Sequence, residues 1–360
     1  SSTDMPWSLE GILPCRRQLA LENELDLFAS LDEAPRVALR VHDFLRDFAA
    51  RDLSGGLVAR LIAAFNDRLT VRVIELTARH HRMPKGSWCW LALGSEGRHE
   101  QSLVSDQDNG LVFSATDRRE ADALREIFLP FAQDVNRRLA DCGFPLCSGG
   151  IMAGNPAWCL SLDEWRQRFY EWVRRPEPEA LLNASIFFDL YPLCGDCDLG
   201  EALRSLLLSL TADTPAFLHL MAVNALKVDV PLNFRGEVVA GDGGGGNEVD
   251  LKKFGSRIFV DVARILALSS GVRAVNTSAR LRDAGPASGM QPGEIAAVDA
   301  AFSHILRLRL TQQIVAGAVV AEAGNGVRLD SLNEVDMAIL RASLRQARRL
   351  QQRLRLNYEL

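Results

Sequence analysis

The chain has 360 residues, of which 48% are hydrophobic, with a formal net charge of -5 at pH 7 and seven cysteines. That length allows two or three domains, each with a real core, and the apolar fraction excludes a disordered chain. The mild acidity argues against a dedicated nucleic-acid binder, which carries a basic face, and no run of about 18 apolar residues marks a membrane span.

The scattered, odd-numbered cysteines of a chain without an export signal fit reduced thiols and a cytoplasmic setting. The stretch Ser1 to Pro6 lacks the basic and apolar regions of a signal peptide and reads as an expression scar or as a cut within a longer protein. From Leu19 to Arg82, apolar residues recur at three- and four-residue steps, which predicts helices, with Ser54-Gly55-Gly56 as the break between two of them. Met83-Pro84-Lys85-Gly86 ends this helical part, and Trp88 to Leu93 reads as the first strand. A glycine turn at Gly94-Ser95 leads to a second strand, which carries Asp106 and Asp108 and continues through Gly110 to Phe113. Residues 117–142 read as a helix and 149–153 as a short strand. Ser161-Leu162-Asp163-Glu164 resembles a capping box that opens a helix through Val173, stopped by Pro176 and Pro178. Ala184 to Leu190 reads as a third substantial strand.

From Asp198 onward the pattern is helical again. Stripes run through Leu203, Leu206, Leu207 and Leu210, through Phe259–Leu268, through Ile305–Val320 and through Glu334–Leu356, with loops at 242–247 and 283–293. No internal repeat is visible. The expected fold is α+β: a helical N-terminal segment over 1–85, a small mixed β-sheet over 86–200, and a C-terminal helical bundle over 201–360.

The segment between the first two strands carries the chemistry. Residues i and i+2 of a strand share a face, so Asp106 and Asp108 project together and repel unless a cation lies between them. Mg²⁺, with Mn²⁺ as the alternative, prefers oxygen ligands and is commonly shared with substrate phosphates. A glycine turn beside the pair can set backbone N–H groups against those phosphates. Asp189, within an apolar run, is the candidate third carboxylate, to bind metal or take the acceptor's proton; an ordinary strand-end aspartate is the alternative.

At these residues the sequence resembles the DNA polymerase beta-like nucleotidyltransferase superfamily, whose pattern is a hydrophobic strand, Gly-Ser, then Asp-x-Asp on the next strand. Gly94-Ser95-Glu96-Gly97-Arg98 through Ser105-Asp106-Gln107-Asp108-Asn109 is more similar still to the uridylyltransferase/adenylyltransferase branch, whose members modify nitrogen-regulatory proteins. It most resembles a family of bacterial signal-transduction nucleotidyltransferases, many of which carry cyclic-nucleotide-binding or CBS domains ahead of the catalytic domain. The resemblance extends through Gly149–Trp158, Phe187–Pro192, Asp250–Lys253, Val262–Leu268, Asn276-Thr277 and Leu308–Gln313. Two positions depart from it: Tyr191 stands where an arginine is expected, and Gly255-Ser256-Arg257-Ile258 lacks a proline.

The resemblance implies transfer of a nucleoside monophosphate from ATP or UTP to an acceptor hydroxyl, with a regulatory protein as acceptor and pyrophosphate as product. It implies Asp106, Asp108 and Asp189 as catalytic metal ligands, and Gly94, Ser95, Arg98, Lys252 and Lys253 on the nucleotide. It also implies a substrate-binding helical domain and a sensor domain or partner on the N-terminal side; neither a membrane nor a nucleic acid is expected as a partner. The alternative is a nucleotide-binding regulatory module with little or no catalysis.

Several features carry competing readings. Arg98 can fork onto the triphosphate or pair with Glu96 or Glu100. Lys252 and Lys253 can reach the phosphates or form a solvated charge cluster with Asp250. Asn276 and Thr277 are expected to line the same cleft, and Glu100 and Gln101 to brace the turn. The run Gly243–Gly246 lacks the Gly-Lys-Ser/Thr of a phosphate loop and reads as a surface loop. Cys194 and Cys197 lack the second pair of a structural zinc site. His42-Asp43 is not expected to form a phosphohydrolase metal pair, and His80-His81 is expected at an exposed helix end. The arginines of the last helix read as a solvated face.

Overall fold

A computed structural model describes residues 16–51, 53–240, 247–317 and 325–360. Residues 242–246 of the expected glycine loop, the end of the expected helix at 318–320 and the first six residues lie outside these.

The N-terminal part is helical: α1 (Arg16–Leu27), α2 (Ala34–Ala49) and α3 (Gly55–Ala78). The break at Ser54-Gly55-Gly56 is a helix start, where the Ser54 side chain accepts from the Leu57 N–H and caps α3. The sheet follows, with β1 (Trp88–Ala92), a single helical turn α4 (Gly94–Gly97), β2 (Asn109–Phe113), α5 (Arg118–Asp141), β3 (Cys159–Ser161), α6 (Leu162–Arg174), α7 (Pro178–Phe187) and β4 (Tyr191–Gly195). The strand order is β3-β2-β1-β4. β1 is antiparallel to β2 and β4, and β2 is parallel to β3, so the sheet is small and mixed.

Alternation along the strands sends side chains into two cores. Trp90, Leu111 and Phe113 face the N-terminal helices and α5, while Cys89, Leu91 and Val112 face the other way. The second core continues into α8 (Cys197–Ala212), α9 (Pro215–Ala225), α10 (Arg257–Ser269), α11 (Thr277–Ala284), α12 (Pro292–Ala316) and α13 (Glu334–Tyr358). A two-stranded antiparallel sheet, β5 (Glu248–Asp250) with β6 (Gly326–Arg328), sits among these helices. The fold is α+β, as the sequence predicts. Among the described residues no single helix is long and apolar enough to cross a membrane.

Three local expectations change. Ala184–Leu190 is not a strand: α7 runs through Phe187, and the strand begins only at Tyr191. Pro178 does not end a helix but opens this one, where its missing N–H costs nothing. Residues 149–153 form turns rather than a strand, and the short strand lies further on, at β3. The capping box is present: Ser161 accepts from the Glu164 N–H, and Glu164 from the Ser161 N–H.

Candidate active site

β1 delivers the chain to α4, and the geometry there depends on two glycines. Gly94 has φ +53°, and a Cβ on it would lie 2.8 Å from Asp108 Oδ2, so only glycine lets that carboxylate rest against the turn. A Cβ on Gly97 would lie 2.2 Å from the Asp189 carbonyl oxygen and 2.8 Å from that of Ala92. The turn is closed by the Arg98 N–H on the Gly94 carbonyl at 3.0 Å and the Glu100 N–H on the Ser95 carbonyl at 2.9 Å.

Asp106 and Asp108 lie just before β2 rather than within it, because β2 begins at Asn109. Their alternation still holds. The intervening Gln107 is buried and donates through Nε2 to the Asn136 and Phe144 carbonyls at 2.9 and 3.0 Å. Asn109 is buried too, accepting from Asn136 Nδ2 at 2.9 Å and the Ala153 N–H at 2.8 Å. With residues 107 and 109 anchored inward, Asp106 and Asp108 line a cavity of about 440 Å³. Burial pushes the Asp108 carboxyl up to about 6; a hydrogen bond with Cys147 and the charges of Lys252 and Arg98 oppose the rise, and Asp106 adds to it.

The same cavity is lined by Gly94, Ser95, Arg98, Lys252 and Lys253, together with Arg257, Asp261, Arg264 and Arg309. Leu182, Ile186, Val260, Phe302 and Leu306 give it an apolar wall. Lys252 and Lys253 begin the wide turn from Leu251 to Ser256, where their N–H groups donate to Asp250 Oδ1 at 2.8 and 2.9 Å. The Lys253 ammonium lies 5.0 Å from the centre of the Phe254 ring.

Residues 98–103 join this wall to the helical half. Glu100 accepts from Arg98 Nε at 2.9 Å with one oxygen and from the Thr277 N–H at 2.6 Å with the other. Asn276 Nδ2 donates to the Arg98 carbonyl at 3.1 Å, and Gln313 bonds Ser102 and Leu103 at 3.0 Å each. Asn276 and Thr277 therefore do not line the cavity; they latch α11 onto the loop after α4.

Comparison with known families bears directly on this arrangement. Residues 39–179 match the family model described as "Putative nucleotidyltransferase DUF294", and residues 215–358 match that described as "Putative nucleotidyltransferase substrate binding domain". The chain belongs to a nucleotidyltransferase family. No curated protein matches it.

In this nucleotidyltransferase chain, Gly94, Ser95, Arg98, Asp106 and Asp108 come together from the first matched region, and Lys252 and Lys253 join them from the second. Asp189 does not. It is 0% exposed and behind the cavity wall, after α7. Arg264 holds it in a fork, Nε to Oδ1 at 2.8 Å and Nη2 to Oδ2 at 2.6 Å. Arg280 Nη1 adds a bond at 2.7 Å and Arg98 Nη1 another at 2.8 Å. Burial by itself would raise this carboxyl; the guanidinium groups of Arg264, Arg280 and Arg98 outweigh it and hold it well below the usual carboxylate range. The expectation of Asp189 as a metal ligand and proton acceptor is thus corrected. Its oxygens are committed to arginines, and no group of three His, Cys, Asp or Glu side chains able to hold a metal is assembled among the described residues. Asp189 instead fixes Arg98, which pairs with Glu100, one of the two alternatives expected for it, and also lines the cavity.

The sequence reading missed Arg264, Arg280 and Arg309. An arginine inside the apolar run Phe259–Leu268 was the available signal, since such a charge needs a buried carboxylate. Of the side features, His81 is not at a free helix end but pairs with Asp134 at 2.9 Å, and His42 packs edge-on against Phe144. The last helix is only partly a solvated face: Arg348 donates to the Leu232 carbonyl at 2.5 Å and Arg353 pairs with Glu294 at 3.0 Å.

Proposed function

We propose that the chain moves a nucleoside monophosphate from a nucleoside triphosphate to an acceptor hydroxyl. The acceptor hydroxyl gives up its proton to solvent, its oxygen bonds the α-phosphorus, the bond from that phosphorus to the bridging oxygen breaks, and pyrophosphate leaves. One observation carries the reading: a single cavity gathers the glycine turn and carboxylate pair of one matched region and the two lysines of the other.

The donor set fits a hard divalent cation, Mg²⁺ or Mn²⁺. Asp106 and Asp108 offer only oxygen, and the raised pKa of Asp108 is the mark of a buried carboxylate with a like-charged neighbour. Bound there, the cation supplies charge neutralisation at the transferring phosphoryl group. The protein's own groups do the rest. Gly94 and Ser95 leave room for phosphate oxygens close to the backbone, Arg98 is held in position by Glu100 and Asp189, and Lys252 and Lys253 supply positive charge from the other wall. The apolar wall excludes water from the reacting groups. The resemblance of the motif supports ATP or UTP as the nucleotide, a regulatory protein as acceptor, a cytoplasmic setting and a sensor domain or partner on the N-terminal side.

A second reading, a nucleotide-binding regulatory module with little or no catalysis, is favoured by the commitment of Asp189 to three arginines, which takes the expected proton acceptor away from the cavity. Incubating the protein with Mg²⁺, cell extract and α-labelled ATP, UTP, GTP or CTP separates the two. Label on an acceptor together with free pyrophosphate supports transfer. Tight nucleotide binding with neither product supports the regulatory module, and absence of binding overturns both.

A further inference from the structure

Arg309, on α12, lines the cavity and makes no ion pair among the described residues. Among the described residues its guanidinium is held by neutral acceptors: Nη1 donates to Ser256 Oγ at 3.1 Å and Nη2 to Asn325 Oδ1 at 3.3 Å. Its Nε is fully buried and has no partner among the described residues. The contrast with the neighbouring arginines is sharp. Arg98, Arg264 and Arg280 each pair directly with Asp189. Arg309 has no such ion pair, and only the longer-range charges of Asp250 and Glu100 favour its protonated form, while burial and the charge of Arg98 oppose it. Its pKa, brought down to about 10, still leaves it cationic at neutral pH.

A partly buried cation with a fully buried, unused donor is costly unless something anionic completes it. Arg309 is also near enough to Arg98 for the two charges to repel, and both line the same cavity as Lys252 and Lys253. Arg257 and Arg264 add further positive charge to the lining, against the carboxylates of Glu100, Asp106, Asp108, Asp250 and Asp261. A triphosphate carried with a divalent cation presents both signs to such a mixed lining, and a single carboxylate does not. We propose that Arg309 binds the triphosphate moiety of a nucleoside triphosphate, acting from the substrate-binding half as the partner of Arg98 in the catalytic half. This rests on the nucleotide reading of the cavity and adds to it a residue that distinguishes triphosphate from monophosphate. A guanidinium suits the task because its planar fork can use Nε and one Nη on two phosphate oxygens.

The test is equilibrium binding in Mg²⁺ by the purified full chain and by Arg309→Met, with ATP, UTP, the corresponding monophosphates and inorganic tripolyphosphate as probes. The variant is expected to lose about 10- to 100-fold in affinity for the triphosphates and tripolyphosphate, the usual effect of removing a charge-assisted bond, and to hold the monophosphates almost as before. Arg309→Lys keeps the charge and loses the fork, so a smaller loss with the same selectivity is expected; it supplies the readout if the methionine variant fails to fold. Triphosphate binding by wild type that either variant leaves unchanged, or mono- and triphosphate affinities that fall together, would overturn the proposal alone. A wild-type protein that binds none of the nucleotides overturns the functional reading and this proposal with it. Displacement of bound nucleotide by a poly-glutamate peptide but not by tripolyphosphate would assign the arginine to an acidic partner instead and overturn the phosphate assignment.

Discussion

Replacing Asp189 with asparagine distinguishes an anchor for arginines from a metal ligand. The wild-type carboxylate is 0% exposed and accepts from Arg264, Arg280 and Arg98 at 2.6–2.8 Å. Two of those cations keep another carboxylate after the change, since Arg98 also pairs with Glu100 and Arg264 with Asp261. Arg280 keeps only carbonyl contacts, to Ala274 and Phe188, and it is 0% exposed. Removing one partner of a buried pair costs about 3–5 kcal/mol, and with one guanidinium chiefly stranded the lower end, about 3 kcal/mol, is expected. The assay is urea unfolding of the full chain at pH 7 in metal-free buffer, read as a fall in midpoint at constant slope. Burial raises this carboxyl and the three guanidinium groups more than reverse that, so its folded pKa lies below its unfolded one. Its contribution is therefore complete above about pH 4 and declines as the pH falls further, and the variant should lose less stability than wild type on acidification. A metal ligand awaiting its cation would behave oppositely: neutralising it would leave the metal-free protein as stable or more so. A loss below about 1 kcal/mol at pH 7 would refute the anchor role.

Asp108→Asn should stabilise the metal-free protein at pH 8 by on the order of 3 kcal/mol, because burial raises the folded carboxyl to about 6 and its ionised form is penalised above that pH. The same variant should lose Mg²⁺-dependent nucleotide binding, and unchanged stability together with unchanged binding would contradict the assignment of the pair. In wild type, Mg²⁺-dependent nucleotide binding should fall as the pH drops through about 6, where Asp108 takes up its proton; calorimetric titrations at several pH values check this. Gly97→Ala drives a Cβ into backbone oxygens on two sides and should destabilise by about 1–3 kcal/mol, visible in thermal unfolding, whereas a neutral result would mean that the turn relaxes freely.

What was legible in the sequence and what was not follow from range. The helices α3, α5, α10 and α13 are long and periodic, and local periodicity suffices for them. The carboxylate pair was legible because alternation is a local property; it survives even though β2 begins one residue later than Asp108. The Ala184–Leu190 run misled because it is apolar on every side, and such a run fits a buried helix as well as a buried strand. Its true character lay in Pro178, which sits at a helix start as readily as after a helix end. The role of Asp189 depends on Arg264 and Arg280, which lie 75 and 91 residues further on. Each was visible as an oddity, an acid in Phe-Phe-Asp-Leu and a base in Val-Ala-Arg-Ile, and only their pairing in space explains either. Arg309 gave no such signal, because Arg307 two residues earlier has the same sequence surroundings and bonds instead to the carbonyls of Arg51 and Leu53.

The most direct measurement of the central claim is transfer from α-labelled nucleoside triphosphate in Mg²⁺ by the purified chain, beside a variant carrying both Asp106→Asn and Asp108→Asn. The account predicts labelled acceptor and matching pyrophosphate from wild type, and neither from the variant, with nucleotide turnover lost while circular dichroism is retained. Equal turnover by the two proteins, or bound nucleotide with no pyrophosphate from wild type across all four bases, would contradict it.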